Sequence, residues 1–297
     1  MPWLQLKLYT HPEQAQTLAE RLEEAGAAAI TFQDGADQPL YEPAPGTTPL
    51  WRHTEVTGLF PAGTDMERLV SGLEQQAKQP LTGWQVLPLE EKEWSRVWME
   101  GFQPMRFGER LWICPSWHDP PEPAAVNILL DPGLAFGTGT HATTALCLEW
   151  LDAHPPAGKR VIDYGCGSGI LAIAAARLGA EHVLAVDTDP QALQATRDNA
   201  VKNGVEDRIR VAFPDDVTTT PVQLLMANIL ANPLIDLADR LAARVADEGT
   251  IVLSGILSEQ AEEVATAYRP WFSLATPAVR DEWVRLEGVR KPAEATS

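Results

Sequence analysis

Long apolar runs are missing from this 297-residue chain. None approaches the roughly 20 residues that a membrane-spanning helix requires. The first residues, MPWLQLKLYT, lack the basic-then-apolar pattern of a secretory signal. Cysteine is scarce: Cys114, Cys147 and Cys166 form no CxxC pair, which argues against a disulfide framework and against structural zinc. The histidines show no metal-ligand spacing, so no metal is expected. Internal repeats and low-complexity tracts are absent as well. These absences exclude a membrane role and lead us to expect reduced thiols and a cytoplasmic protein.

Positive charge is also short. Against 41 Asp+Glu stand only 23 Lys+Arg, a net charge of -18. The imbalance runs through the chain, with 5 basic and 11 acidic residues in positions 1–88 alone. Such a surface repels a phosphate backbone and attracts a cationic partner, so direct nucleic-acid binding is not expected. Solubility alone would account for the same composition.

Hydrophobic residues make up 45% and charged residues 22%, an ordinary globular balance. The length suits one large domain plus a small one. In residues 1–88 the order is WLQLKLY, a helix over 13–25, AAAITFQD, WRHTEVTGLF, a helix over 65–78, then WQVLPL. That βαββαβ order predicts a small ferredoxin-like α+β domain. The proline-rich segment 36–49 reads as a loop. In EEKEWSRVWMEGF, Trp94, Val97 and Trp98 share one helical face, so residues 89–104 read as a linker helix whose tryptophans pack between domains.

Residues 105–297 alternate short apolar strands (RVIDYG, HVLAVD, RIRVAF, VQLLMAN, TIVLSG) with helices starting near Ile170, Pro190, Asn232 and Ser258. This is the pattern of an α/β, Rossmann-like doubly wound parallel sheet, whose ligand sits beyond the carboxyl ends of the strands. The final FSLATPAVRDEWVRLEGVRK would supply two closing strands as a hairpin.

Two glycine-rich runs precede and open this domain: DPGLAFGTGTHATTALCLEWL from Asp131 and DYGCGSG from Asp163. The second lies between a strand and a helix, where glycines let the backbone pass close to a ligand. Gly167, Gly169 and Ala172 also fit GxGxxA, so a nicotinamide dinucleotide has to be weighed. Asp187, ending the next strand, is placed to accept hydrogen bonds from adenosine ribose hydroxyls under either reading. Asp163 separates the two, since a carboxylate is repelled by pyrophosphate and favoured beside the sulfonium and ammonium of S-adenosylmethionine. Asn228, at the end of VQLLMAN, suits an acceptor group: its side-chain carbonyl and the backbone carbonyl of Ile229 could hold the N–H groups of an amine. Enzymes that methylate planar amides and bases carry an aromatic after such an asparagine. Here Ile229, Leu230 and Ala231 follow, which favours a flexible aliphatic amine over a planar acceptor. His141 is a second candidate proton acceptor or simply a polar residue at a helix start.

In DYGCGSG, VDTDP, ANILANPL and LDPGLAFGTGTHATT the chain resembles the class I S-adenosylmethionine-dependent methyltransferases, and within them the ribosomal protein L11 methyltransferase family. GTGTH, ANILA and LSGIL occur in that family's order, the tract 105–117 is similar too, and the likeness covers essentially the whole chain. The resemblance implies S-adenosyl-L-methionine as methyl donor and, as substrate, the lysine ε-amines and N-terminal α-amine of a large-subunit ribosomal protein, bound by the N-terminal domain. It implies cofactor contacts at Thr144, Gly165, Asp187 and Asn228, with Gly167 beside them in the glycine loop and Asn228 as the catalytic residue. A monomer is the working expectation. The first glycine run has no Lys-Ser/Thr to mark a phosphate loop. It reads instead as a lid over residues 136–144 hinged at Gly137 and Gly139, with Thr140 capping the following helix, whose packed side carries Ala145, Leu148 and Leu151.

Overall fold

A computed structural model describes residues 3–36, 38, 49–77, 81, 83–89, 102–131, 139, 141–217 and 220–292. Residues 90–101 of the segment expected as a linker helix and most of the proline-rich loop lie outside the described residues; Leu89 ends a strand and 102–104 are irregular. The chain divides into two compact units, Met1–Val97 and Trp98–Ser297.

In the first unit the elements are β1 (Trp3–Thr10), α1 (Pro12–Glu24), β2 (Ala29–Asp34), β3 (Thr54–Pro61), α2 (Met66–Ala77) and β4 (Gln85–Leu89). The sheet order is β2-β3-β1-β4, with every neighbouring pair antiparallel. This is the split βαββαβ arrangement that the element order implied. Alternation along β1 sends Leu6 and Leu8 into a core shared with Leu18 and Leu22 of α1 and Val70 and Leu73 of α2. Lys7 points to the opposite face, where its ammonium meets Glu55 of β3 at 2.8 Å.

The second unit opens with a small sheet that sequence periodicity did not reveal. β5 (Met105–Phe107) and β6 (Leu111–Cys114) pair antiparallel, and β6 pairs in parallel with β7 (Val126–Leu129). Strands of three and four residues are too short to show alternation. The β5–β6 turn is held by a helix carboxylate: buried Asp152 accepts the Glu109 N–H at 2.7 Å and Arg110 Nε at 3.2 Å. Asp152 belongs to α3 (Ala142–Ala153), so the small sheet and that helix are tied together.

The main sheet runs β10 (Ile209–Ala212), β9 (His182–Val186), β8 (Arg160–Tyr164), β11 (Val222–Asn228), β12 (Val245–Leu257), β15 (Trp283–Arg290), β13 (Phe272–Leu274). The five strands from β10 to β12 are parallel, and chain order reverses direction between β8 and β11. Helices α4 (Ile170–Arg177) and α5 (Pro190–Lys202) follow β8 and β9.

The doubly wound sheet itself is as expected, parallel from β10 to β12 and closed by β15 antiparallel to β12. Three expectations need correction. The C-terminal segment forms three strands rather than two: β14 (Ala278–Arg280) folds back on β15, and Pro277, which has no N–H for a ladder, separates it from β13. The helix expected from Asn232 is broken at Leu237 into α6 (Ala231–Asp236) and α7 (Ala238–Ala242), while the one expected from Ser258 begins three residues later as α8 (Ala261–Tyr268).

Candidate active site

A reversal of strand order leaves a crevice beyond the carboxyl ends of the two diverging strands, here β8 and β11. The glycine run lies at the end of β8. The Gly165 and Cys166 N–H groups both donate to the Val186 carbonyl, at 2.7 and 3.0 Å, which ties the loop to the end of β9. Gly165, Gly167 and Gly169 have φ of 80°, 52° and 81°, a region open to glycine and costly for other residues. Gly169 also lacks room: a Cβ there would lie 2.8 Å from Thr196 Cγ2.

Asp187 directly follows β9 and closes on the same loop. One carboxylate oxygen accepts the Gly167 N–H at 2.9 Å and the other the Asp189 N–H at 3.0 Å. A carboxylate has about four acceptor sites, so two bonds leave capacity for a diol. Asp189 then caps α5 by accepting the Gln191 N–H at 2.8 Å, with Pro190 in the first turn.

Asp163 is turned inward. It is only 1% exposed, and its Oδ2 accepts the Ala172 N–H of α4 at 3.0 Å. Its Oδ1 is buried with no hydrogen-bond partner among the described residues. Burial pushes the carboxyl up to about 7, the Ala172 N–H opposing and the neighbouring Asp187 adding to the rise. The Cys166 thiol is raised by burial too, so it is held as the inert thiol.

Two residues singled out 84 positions apart meet here: Asn228 Nδ2 donates to Thr144 Oγ1 at 3.2 Å. The bond aims the amide, and among the described residues Oδ1 receives no hydrogen bond from the protein. Thr144, expected as a cofactor contact, is fully buried, and its hydroxyl oxygen receives the Asn228 amide. Next to it, Ser254 Oγ donates to the Thr143 carbonyl at 3.2 Å, and Ser254 is the β12 residue in register with Asn228. The Ile229 carbonyl, expected as a second acceptor, lies against Gly255.

The cap of α3 is His141, not Thr140, which lies outside the described residues together with 132–138 and hence with Phe136, Gly137 and Thr138 of the expected lid. His141 is extended (φ -77°, ψ 139°), so Nδ1 reaches the Thr143 N–H at 3.4 Å and Thr143 Oγ1 at 2.8 Å. Its ring meets the Trp283 ring edge-on at 4.8 Å. Burial lowers its pKa, with the Glu282 charge opposing. Ala145, Leu148 and Leu151 are buried as expected, though the helix is enclosed on nearly every side. Gly139 has φ 90°.

Sequence reasoning missed the inward face of α5. Thr196 Oγ1 donates to the Gly167 carbonyl at 3.1 Å, and Asn199 Nδ2 to the Ser168 carbonyl at 2.9 Å. Just beyond the helix, Asn203 takes both backbone groups of Leu129, accepting its N–H at 2.7 Å and donating to its carbonyl at 2.8 Å. Polar residues at i, i+3 and i+7 alternating with Leu193 and Ala200 were the available signal.

Measured against known families, residues 2–291 match the profile described as ribosomal protein L11 methyltransferase (PrmA). The chain belongs to that family. Among curated members of the ribosomal protein L11 methyltransferase family, that of Marinobacter nauticus is 56% identical over 296 residues, covering 98% of this chain and 99% of its own. That of Azotobacter vinelandii is 55% identical over 292 residues, covering 98% and 100%. A crystal structure of a ribosomal protein L11 methylase from Lactobacillus delbrueckii subsp. bulgaricus is 34% identical, with TM-score 0.59, over 64% of this chain and all of that one. As a member of the ribosomal protein L11 methyltransferase family the chain is an S-adenosylmethionine-dependent methyltransferase. The site fits that cofactor. An orphaned, buried carboxylate oxygen on Asp163 favours a nearby cation, Asp187 keeps acceptor capacity, and nothing beyond a hydrogen fits at Gly165 or Gly169.

Proposed function

We propose that the chain methylates ribosomal protein L11, on lysine ε-amines and on the terminal α-amine, and that Asn228 presents those amines to the methyl donor. The Asn228–Thr144 bond carries this reading: it uses one of the amide's two donor hydrogens to fix the side chain and leaves the carbonyl oxygen for a substrate N–H. Gly165 and Gly167 let the backbone approach the cofactor, Asp187 takes its ribose hydroxyls, and the buried Asp163 carboxyl acts on its positive charge through the field rather than by contact. Thr144 supports Asn228.

Bound S-adenosylmethionine supplies an electrophilic methyl on a sulfonium. The amine must arrive neutral, with its lone pair in line, although a lysine amine has a reference pKa of about 10.4. Asn228 Oδ1, by accepting one N–H, fixes where the lone pair points. No general base is needed for the displacement itself. The proton can leave to solvent after the new N–C bond has formed.

Residues 1–88 serve as the substrate-recognition domain, 89–104 as a linker and 105–297 as the catalytic domain. The acidic surface favours a basic ribosomal protein and disfavours direct binding of nucleic acid. The enzyme works in the cytoplasm as a monomer. Among the described residues no helix is long and apolar enough to cross a membrane, and no cluster could hold a metal. Replacing Asn228 by alanine tests the assignment: methyl incorporation into purified L11 should fall about 10²-fold in kcat while calorimetric affinity for S-adenosylmethionine changes little. Undiminished turnover would sink it.

A further inference from the structure

The residue after Asn228 is wedged between two glycines. A Cβ on Gly165 of the cofactor loop would overlap Ile229 Cγ2, so the β-branch methyl occupies the space that a side chain at 165 would fill. On the other side a Cβ on Gly255 would overlap the Ile229 carbonyl oxygen, and would stand 2.7 Å from its carbon and 3.2 Å from its nitrogen. Gly255 sits where the pairing of β12 with β15 shifts register, between Leu253 and Ile256, and has φ 86°. Both glycines therefore hold conformations that expose bare backbone to Ile229.

We propose that Ile229 is the positioning residue that sets the spacing between the methyl donor and the acceptor amine. Its Cγ2 methyl seats on Gly165, whose backbone borders the cofactor, and its peptide seats on Gly255. Asn228 is joined to it through the Ile229 nitrogen, which also lies close to Gly255, so the wedge fixes the acceptor oxygen relative to the glycine loop. Thr144 orients the amide; Ile229 places it. An in-line displacement is sensitive to this spacing, since a misplacement of about 1 Å can cost about 10²-fold in rate. The inference rests on the reading of Asn228 as the amine acceptor.

Three substitutions separate a wedge from general packing. Ile229→Val keeps Cγ2 and should keep kcat within about 3-fold. Ile229→Leu has the same volume but no branch at Cβ, and should lower kcat about 10-fold or more while the dissociation constant for S-adenosylmethionine moves less than about 3-fold. Gly255→Ala, which pushes on the peptide from the far side, should show the same split. If it does not fold, the isoleucine series decides. Equal kcat for Ile229→Leu and wild type would overturn the proposal, as would losses in kcat and cofactor affinity that run in parallel. A wild-type enzyme that transfers no methyl to L11 would instead reject the functional reading, which keeps the two failures apart.

Discussion

Replacing Asp163 by asparagine should stabilise the ligand-free enzyme at neutral and alkaline pH while weakening its hold on S-adenosylmethionine. The side chain is 1% exposed, accepts a single N–H from Ala172, and has one oxygen with no donor. Burial raises its carboxyl from 3.8 to about 7, with Asp187 contributing. In the unfolded chain the same group ionises near 3.9, so between about pH 4 and pH 7 the native state holds a proton that the unfolded state has released. Stability must then fall with rising pH by about 1.4 kcal/mol per unit, levelling off above 7 at a loss of ~4 kcal/mol. Asparagine keeps an acceptor for Ala172 and never ionises. Urea denaturation of both proteins at half-unit steps from pH 5 to pH 8 should show the variant gaining on wild type by ~3 kcal/mol across that range. Saturating S-adenosylmethionine should invert the order, because its cation compensates the buried charge in wild type alone. Parallel pH profiles for the two ligand-free proteins would refute the reasoning.

Thr144→Val removes the hydroxyl that receives Asn228 Nδ2 and keeps the shape; kcat should drop about 10-fold or more, Thr144→Ser should recover it, and radiolabel incorporation at saturating donor reads both. Asn203→Ala strips Leu129 of partners for both backbone groups and should cost about 2–3 kcal/mol in urea unfolding. If the net charge of -18 guides a basic substrate, raising salt from 50 to 300 mM should raise KM for L11 several-fold with kcat little changed, and a flat KM would leave the charge to solubility.

Most of the fold was legible because the strands of the parallel sheet are short apolar runs, and because Leu4, Leu6 and Leu8 alternate with polar or aromatic residues along β1. What escaped depended on partners remote in sequence. Nothing in MRF or LWIC announces a sheet until Asp152 and Leu129 are beside them. β15 looked like half of a hairpin because its principal partner, β12, lies some 30 residues upstream. The loops of the site could be read from Gly165, Asp187 and Asn228, whose types and spacing declare their chemistry. Thr196, Asn199 and Asn203 do the holding, and ordinary helix residues carry no such declaration. Asp163 was legible as a charge but not as a buried one, since burial is a property of α4 packing over it.

The last strand completes the enzyme. β15 lies inside the sheet, antiparallel to β12 on one side and to β13 on the other, and its Arg285 donates to the Leu146 carbonyl at 3.0 Å, anchoring the helix that carries Thr144. During translation the edge of β12 stays unpaired until Trp283–Arg290 has emerged. An unfinished chain thus offers an open apolar edge, the feature that chaperones and proteases recognise. A chain cut before residue 283 would leave the apolar edge of β12 open and α3 without its Arg285 anchor.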